Sequence, residues 1–155
     1  MVEIWYNLPV MPNLPVRFKR LSPDVPMPEY KTQGACAFDV AVIEDGTLAP
    51  GERRAFATGL VVCVPDGHTL LLFPRSSNAK KGLQLGNGVG VIDQDYCGPN
   101  DQLYAYLYNI GSEPYTVLKG ERVMQGLIVP IAKAIFEEVA ELEATNRGGF
   151  GTTGS

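Results

Sequence analysis

The sequence predicts an all-β domain. Gly and Pro interrupt the 155-residue chain at short intervals, and the runs between them are rich in β-branched and aromatic residues, which favour strands. Several runs alternate apolar and polar residues with a period of two, as residues 16–21 (VRFKRL) do, and this pattern indicates half-buried strands. Many short strands at this spacing are typical of a sandwich, jelly roll or barrel.

Eight stretches carry the strand pattern between turn clusters. They are residues 16–21, 37–43, 55–64, 69–73, 102–108, 115–118, 122–131 and 133–139. The last stretch also contains good helix formers, and we favour a strand there because its surroundings are all-β. One short helix is expected at residues 77–82 (SNAKKG), which begin with a capping residue and end with Gly.

Length and composition indicate one domain spanning residues 1–155. Residues 1–15 resemble an irregular N-terminal extension, and residues 146–155 form a flexible, glycine-rich tail that cannot fold alone. No apolar run is long enough to cross a membrane, and the N-terminus lacks the basic start of a secretory signal. We therefore expect a soluble protein in the cytoplasm or elsewhere inside the cell, without a membrane partner.

The net charge of −4 argues against a protein that binds nucleic acid non-specifically, because such a protein normally carries a basic face. It does not argue against a small anionic ligand, since a few arginines and backbone N–H groups can hold one.

The three cysteines are Cys36, Cys63 and Cys97, which are far apart and form no CxxC pair, and His68 is the one histidine. This distribution predicts three free thiols, and it makes a disulfide framework or a zinc site an unfavourable interpretation.

The stretch of residues 86–96 (GNGVGVIDQDY) carries the first chemical signal. Three glycines in five residues allow the backbone to approach a ligand closely. Asp93 and Asp95 stand two positions apart, so both would face the same side of a regular strand, and such a pair suits a general base. Taken alone, however, the pair more often forms Asx turns.

Two further stretches carry weaker signals. Residues 74–79 (PRSSNA) follow an apolar strand and open the expected helix, which suits either an anion site or an ordinary helix cap. Residues 147–154 (RGGFGTTG) combine a guanidinium, an aromatic ring and two hydroxyls. These groups can bind phosphate and stack on a base, or the segment can be a disordered chain end.

Taken in order, five segments resemble the motif set of the homotrimeric dUTPase family, and the likeness covers roughly residues 14–154. The segments are GACAFDVAV (34–42), PRSSNAKKGL (74–83), LGNGVGVIDQDY (85–96), GERVMQGLIVPI (120–131) and RGGFGTTG (147–154). The resemblance implies a distorted jelly roll or β-barrel with one short helix. It also implies a homotrimer in which the C-terminal tail is swapped onto a neighbouring subunit.

The implied reaction is hydrolysis of dUTP to dUMP and diphosphate, which limits uracil entry into DNA and supplies dUMP for dTMP synthesis. Asp93 would be the catalytic general base for water attack at the α-phosphorus. The implied cofactor is Mg²⁺, chelated by the triphosphate and touching the protein mostly through water. Asp39 would be an outer-sphere metal contact or a structural residue.

The resemblance also implies a set of substrate-binding residues. Asn87, with the backbone of Gly90, Val91 and Ile92, would hydrogen-bond the uracil edge, and Tyr96 would exclude a ribose 2′-OH, with Tyr104 nearby. The phosphates would be faced by Arg75, Ser76, Ser77 and Gln125. In the tail, Arg147, Thr152 and Thr153 would close over the outer phosphates, and Phe150 would cover the base.

The sequence departs from the family pattern at several positions. Ser77 replaces a common Gly, as it does in dCTP deaminases, which share the fold, so a deaminase or bifunctional enzyme is the alternative. Tyr106 stands where those enzymes carry a catalytic Glu, which argues against deamination. A nucleotide-gated regulatory binder is a further alternative. Residues 99–101 are additional, the tail spacing is shortened, and Gly126 is expected to loosen the local packing.

Overall fold

The computed structural model describes residues 13–142, 144–146 and 148. Within them the chain forms eleven strands and one 3-10 helix, which confirms the predicted all-β class with a short helix. The strands are β1 (Arg17–Arg20), β2 (Phe38–Ala41), β3 (Gly46–Leu48), β4 (Arg53–Ala57), β5 (Leu60–Cys63), β6 (His68–Pro74), β7 (Leu83–Leu85), β8 (Gly90–Ile92), β9 (Tyr104–Asn109), β10 (Tyr115–Val117) and β11 (Arg122–Pro130). The helix, Ser76–Lys81, lies between β6 and β7.

The strands form four antiparallel sheets. The largest has the order β2-β11-β6-β8, the next has the order β4-β9-β7, and β1 pairs with β5 as β3 pairs with β10. Apolar residues from these sheets share one buried cluster, in which Leu48, Phe56, Leu107 and Val123 have no exposed surface. Burial of these side chains is the main force that holds the small sheets against one another.

The stretch 55–64 is not one strand, as predicted, but parts of two, β4 and β5, separated by Thr58 and Gly59. Gly59 has a φ of 66°, and a Cβ on it would lie 2.5 Å from Val25 Cγ2. Thr58 is buried and its hydroxyl donates to the Leu103 carbonyl at 2.7 Å. The continuous apolar character of residues 55–64 hid this turn, although only β5 is mostly buried and β4 buries Phe56 alone.

The prediction of a strand at residues 133–139 is wrong for this chain. No described residue after Pro130 belongs to a strand, and the side chains of Ile135 and Phe136 are 99% and 94% exposed. A strand requires a hydrogen-bonded neighbour, and this segment leaves the domain without meeting one. We call residues 131–142 the C-terminal arm.

The prediction of three free thiols is also wrong. A disulfide joins Cys63, at the end of β5, to Cys97, in the loop after β8, with their Cα atoms 5.1 Å apart. Cys36 is free and exposed. The two cysteines are 34 positions apart in sequence, so their proximity is created by the fold and is not visible in the local sequence.

The expected helix at residues 77–82 is present as the 3-10 helix, and it ends at Gly82 with a φ of 65°, a left-handed conformation that suits glycine. Ser77 does not cap it, however, since Arg75 occupies the cap position without a side-chain hydrogen bond. Instead, Asn78 Nδ2 donates to the Val123 carbonyl at 2.8 Å and anchors the helix on β11. Among all the residues that the structure describes, no helix has the length and apolar character needed to cross a membrane.

Gly126 does not leave the packing loose. It pairs with Phe38 across β2 and β11, and a Cβ on it would lie 2.5 Å from Phe38 Cζ. The phenyl ring therefore occupies the space that a larger residue would need.

Candidate active site

The candidate residues lie at the two ends of strand β6. Strand β8 runs antiparallel to it, with Gly90 opposite Leu72 and Ile92 opposite Leu70. Asp93 therefore lies beside the beginning of β6, which we call the aspartate end. Arg75 follows the last residue of β6, and we call this the arginine end.

At the arginine end, the Asp39 carboxylate is held by two guanidinium groups. Arg75 Nε lies 2.8 Å from Asp39 Oδ1, and Arg122 Nη1 lies 2.7 Å from Asp39 Oδ2. Arg75 Nη1 also donates to the Arg122 carbonyl at 3.2 Å. The carboxylate is only 14% exposed, and two positive charges against one negative charge leave an excess that suits a phosphate.

The other residues predicted to face phosphates lie at the same end. Gln125 pairs with Asp39 on one side and with Phe73 on the other, and its Nε2 donates to the Pro74 carbonyl at 3.2 Å. Ser76 is exposed, whereas the Ser77 hydroxyl oxygen is buried and has no hydrogen-bond partner among the described residues. Ser76 is thus the more accessible of the two hydroxyls.

Arg122 was not among the predicted site residues. It lies 83 positions from Asp39, so no local pattern links the two. Its place in the fourth motif segment, GERVMQG, was the one available signal.

A turn at residues 86–89 connects β7 to β8, and because Gly90 lies opposite Leu72 the turn stands toward the arginine end of β6. The Gly88 N–H donates to the Leu85 carbonyl at 3.0 Å, and Gly88 has a φ of 72°. Asn87 Nδ2 lies 3.5 Å from the position that a Cβ would take on Gly90, and that Cβ would also lie 3.2 Å from Leu72 Cβ. Glycine at position 90 therefore lets the Asn87 amide and the β8 backbone lie close together.

Tyr106 packs against the base of this turn. A Cβ on Gly86 would lie 2.8 Å from Tyr106 Cδ1, so the ring fills the space above the glycine. The position where a deaminase carries its catalytic acid thus holds an aromatic ring in contact with the turn.

At the aspartate end, Asp93 is exposed beside an open surface pocket of about 340 Å³. The pocket is lined by His68, Thr69, Asp93, Gln94, Asp95, Ile131 and Lys133. The turn after β8 is closed by backbone groups, since Tyr96 N–H donates to the Asp93 carbonyl at 3.3 Å and Cys97 N–H to the Asp95 carbonyl at 2.9 Å.

Neither aspartate forms an Asx turn. Among the hydrogen bonds of the described residues, none involves the carboxylate of Asp93 or of Asp95. The turn-forming interpretation that their spacing favoured therefore does not account for them, and both carboxylates are available to a ligand.

Two residues that the sequence did not single out fix the backbone on either side of Asp93. Thr69 Oγ1 donates to the Ile92 carbonyl at 3.0 Å. Gln94 Nε2 donates to the His68 carbonyl at 3.1 Å and, more weakly, to the Pro65 carbonyl at 3.4 Å. These contacts join the turn after β8 to the turn before β6.

Tyr96 and Tyr104 are connected through Gln102. The Tyr96 hydroxyl donates to the Gln102 carbonyl at 3.0 Å, and Gln102 Nε2 donates to the Tyr104 hydroxyl at 3.1 Å. Gln102 Oε1 accepts from the Gly59 N–H at 2.8 Å. Burial raises the pKa of the Tyr96 hydroxyl, and the neighbouring Asp101 and Tyr104 raise it further, so the hydroxyl stays protonated.

The additional residues 99–101 form a turn that is docked on β1. Lys19 Nζ donates to the Pro99 carbonyl at 2.8 Å, and Asp101 Oδ2 accepts from the Gly98 N–H at 2.7 Å. Gln102, which follows this turn, remains hydrogen-bonded to Gly59 just before β5.

The predicted tail residues Arg147, Phe150, Thr152 and Thr153 lie outside the described residues. Among those that are described, no group of three or more His, Cys, Asp and Glu side chains is placed to hold a metal ion. Both oxygens of Asp39 accept hydrogen bonds from arginines, so its carboxylate would meet a hydrated cation through water.

The chain is similar to known dUTPases in sequence. The dUTPase family model matches residues 23–154. The deoxyuridine 5′-triphosphate nucleotidohydrolase of Methylocella silvestris is 43% identical over 151 residues, which cover 92% of this chain and 92% of that protein. The protein of the same name from Pseudomonas aeruginosa (strain UCBPP-PA14) is 40% identical over 142 residues, or 88% of this chain and 92% of that protein.

The fold is similar to solved dUTPase structures. The dUTPase of Streptococcus mutans superposes with a TM-score of 0.69 at 34% identity, over 77% of this chain and 98% of that one. A mutant dUTPase of Staphylococcus bacteriophage 80alpha, solved with dUpNHpp, superposes with a TM-score of 0.79 at 26% identity, over 92% of this chain and 100% of that one.

Proposed function

This chain belongs to the dUTPase family and hydrolyses dUTP to dUMP and diphosphate, and we propose that Asp93 is the general base of the reaction. The carboxylate would accept a proton from the water that attacks the α-phosphorus in line, while diphosphate leaves. One observation carries this proposal. The Asp93 side chain is exposed and free of hydrogen bonds among the described residues, while Thr69 and Gln94 fix the backbone on both sides of it.

The phosphates would bind at the arginine end. Arg75, Ser76, Ser77 and Gln125 would face them, with Arg122 as a further positive charge. In this arrangement Asp39 is a structural residue that holds both guanidinium groups in place, rather than a metal ligand. Preorganised cations of this kind stabilise the charge that develops on a leaving diphosphate.

The site would be shared between copies of the chain. Asp93 follows Ile92, the partner of Leu70, and so lies beside Thr69; Arg75 is six positions further along the chain, which corresponds to about 20 Å. Arg75 also points toward Asp39 instead of back along β6. We therefore propose a homotrimer in which Asp93 of one copy meets the arginine end of its neighbour.

The C-terminal arm supports this assembly. Its side chains Ile135, Phe136 and Leu142 are 99%, 94% and 82% exposed, which is a large apolar surface for an arm whose described residues form no strand. Docking on a neighbour would bury it and would carry Arg147, Phe150, Thr152 and Thr153 to that neighbour's site. The tail would then close over the outer phosphates and the base.

Substrate selection would rest on the turn after β7 and on Tyr96. Asn87 with the backbone of Gly90, Val91 and Ile92 would hydrogen-bond the uracil edge, whose donor–acceptor pattern differs from that of cytosine. The Tyr96 ring, with Tyr104 beside it, would leave no space for a ribose 2′-OH. The resulting enzyme would limit uracil entry into DNA and supply dUMP.

Members of the dUTPase family are metal-dependent, and we propose Mg²⁺ for this chain. The scarcity of protein ligands in the described residues suits an ion that keeps several waters and binds through substrate phosphates. When bound, it would supply positive charge to the triphosphate. The protein's own contribution at this point is Arg75 and Arg122, which bind and orient the phosphate chain.

A diphosphate-release assay with dUTP, UTP, dTTP and dCTP, with and without Mg²⁺, tests these proposals. We expect release from dUTP alone, and only with the metal. Ammonia release from dCTP would support the deaminase alternative, which Tyr106 at the acid position disfavours. Because the enzyme acts on a nucleotide that arises during DNA precursor synthesis, we propose that it works inside the cell.

A further inference from the structure

The Cys63–Cys97 disulfide attaches the residue next to Tyr96 to a fixed strand. Cys97 follows Tyr96 directly, and Cys63 is the last residue of β5. Strand β5 is paired with β1, where Arg17 stands opposite Cys63. The crosslink therefore ties one side of the loop 93–103 to the body of the domain.

The two ends of the loop are held by partly buried hydrogen bonds of Gln94 and Gln102, but the side-chain hydrogen bonds at Tyr96 and Pro99, nearer the crosslink, are weaker. The Tyr96 hydroxyl bond to the Gln102 carbonyl and the Lys19 bond to the Pro99 carbonyl are both exposed to solvent. Exposed hydrogen bonds compete with water and add little net stability. Among the described contacts of the loop, the disulfide is the covalent one, and it lies within one residue of the ring that would exclude ribose.

We propose that the Cys63–Cys97 pair is a positioning element for Tyr96, and that its thiol–disulfide state sets how strictly the enzyme rejects UTP. The inference rests on the proposed role of Tyr96 in excluding a 2′-OH. Steric rejection of one hydroxyl depends on a ring that does not move aside. With the crosslink present, the Tyr96 backbone is fixed from the β5 side; with two free thiols, the loop can shift and admit the larger sugar.

The pair is placed where a small redox partner can reach it. Cys63 lines a surface pocket of about 220 Å³ together with Pro15, Arg17, Val64, Pro65 and Asp66. Both cysteines are partly exposed. Arg17 lines the same pocket as Cys63, so a positive charge is available to an anionic partner, although Asp66 offsets part of that charge.

The partner by chemical class is a low-molecular-weight disulfide carrying carboxylates. One cysteine thiolate attacks a sulfur of this disulfide and releases its first thiol, and the second cysteine thiolate then attacks the mixed disulfide and releases the second. Two electrons pass from the protein pair to the external disulfide, and the two cysteine protons end on the two released thiols. In reducing compartments, disulfides of this kind are usually transient or redox-sensing.

The test compares one preparation of the full chain after equilibration with oxidised or reduced glutathione, with the disulfide content measured by alkylation and mass spectrometry. The readout is the ratio of kcat/KM for dUTP to kcat/KM for UTP. We expect reduction to lower this ratio roughly threefold to tenfold, mainly through faster UTP turnover. A disulfide that fails to form, or a ratio that is equal in the two states, would overturn the proposal.

Matched variants separate the crosslink from general oxidation. Cys97→Ser and Cys63→Ser should show the low ratio in both redox states, while Cys36→Ser, which alters the exposed free thiol, should respond as the unaltered chain does. A Cys97→Ser protein that keeps the high ratio contradicts the proposal. If a serine variant does not fold, the redox comparison on the unaltered chain still decides.

Tyr96→Ala distinguishes failure of this inference from failure of the substrate assignment. If Tyr96→Ala still rejects UTP, the proposed role of Tyr96 is wrong and the inference falls with it. If Tyr96→Ala accepts UTP but the redox state of the unaltered chain has no effect on the ratio, the assignment of Tyr96 stands and the role of the crosslink is wrong.

Discussion

Arg75 and Asp39 form an ion pair across strand β11, with Arg75 Nε 2.8 Å from Asp39 Oδ1. We predict that Asp39→Asn raises the KM for dUTP about tenfold and changes kcat less, because Arg75 and Arg122 lose the charge that orients them. Steady-state kinetics at several Mg²⁺ concentrations measure this. The exposed Asp24 supplies the control Asp24→Asn. Restoration of KM by excess Mg²⁺ would instead identify Asp39 as a metal contact.

Asp93→Asn should lower kcat by roughly 10²- to 10⁴-fold, the range expected for a lost general base. Binding of dUTP should persist, since the amide keeps the size of the carboxylate. Asp95→Asn is the matched control, because Asp95 is equally exposed in the same turn but has no assigned role. Single-turnover kinetics together with a binding titration separate the two effects, and near-normal turnover by Asp93→Asn would remove Asp93 from catalysis.

Gln94→Ala should lower kcat about tenfold through a misplaced Asp93 backbone, since small displacements of a catalytic group are costly. Gln94 Nε2 donates to the carbonyl of His68, and the alanine removes that anchor. The exposed Gln84 gives the control Gln84→Ala. A purely structural role would lower the Tm and leave the kcat of the folded protein intact, so both are measured on one preparation.

The strand pattern predicted most of the fold because a half-buried strand alternates apolar and polar residues, and this alternation is visible within a few neighbouring residues. Residues 16–21, 37–43 and 122–131 became β1, β2 and β11 with small changes at their ends. The three-residue strands β3, β7 and β8 were not predicted, since they are too short to display a period. The equally short β10 was predicted because Tyr115, Thr116 and Val117 are all strong strand formers. Residues 133–139 carry the composition of a strand, but a strand also needs a neighbour, which this chain does not provide.

The same distinction holds for the candidate site. Asp93, Arg75 and Gln125 each stand in a local segment that suggests chemistry. The residues that position these groups can be identified only from the structure, because the contacting residues are far apart in sequence. Thr69 and Ile92 are 23 residues apart, and Asp39 and Arg122 are 83 apart. No single-sequence pattern joins such pairs.

Glu121 provides a prediction for stability against pH. Burial alone would raise the pKa of its carboxyl, but hydrogen bonds from Lys81, the Leu118 N–H and Tyr115 outweigh burial and lower it. A carboxyl whose pKa is lower in the folded state than in the unfolded state stabilises the fold at pH values above its unfolded-state pKa. This stabilisation is lost as the pH falls through the folded-state pKa. Glu121→Gln should therefore cost about 1–3 kcal/mol at pH 7, and this difference should shrink below about pH 4.5.

Chemical denaturation of both proteins between pH 3 and pH 8 measures that difference (the range is about one unit or more on either side of the carboxyl pKa). Burial, with the hydrogen bond to Glu121, raises the pKa of Tyr115 to about 12, so its hydroxyl remains a donor throughout. Glu113→Gln is the control, because Glu113 is exposed. A pH-independent difference between Glu121→Gln and the unaltered chain would contradict the assigned cause.

Mixed trimers test whether Asp93 and Arg75 act in the same site from different chains. Asp93→Asn and Arg75→Ala should each be nearly inactive alone. If the site is shared, random assembly of an equal mixture gives about a quarter of the interfaces an intact Asp93 from one chain and an intact Arg75 from the next. Activity should then recover to about a quarter of the normal value after the two are unfolded and refolded together.

A site built within one chain predicts no recovery, because every copy then lacks one of the two groups. Mixing the folded variants without refolding is the control, and it should stay inactive if subunits exchange slowly. The result bears directly on the distance along β6: Thr69, beside Asp93, and Arg75 lie six residues apart on or beside one strand. Recovery of activity would show that Asp93 and Arg75 of one site come from neighbouring copies. Failure to recover would show that both groups act on one substrate within a single chain.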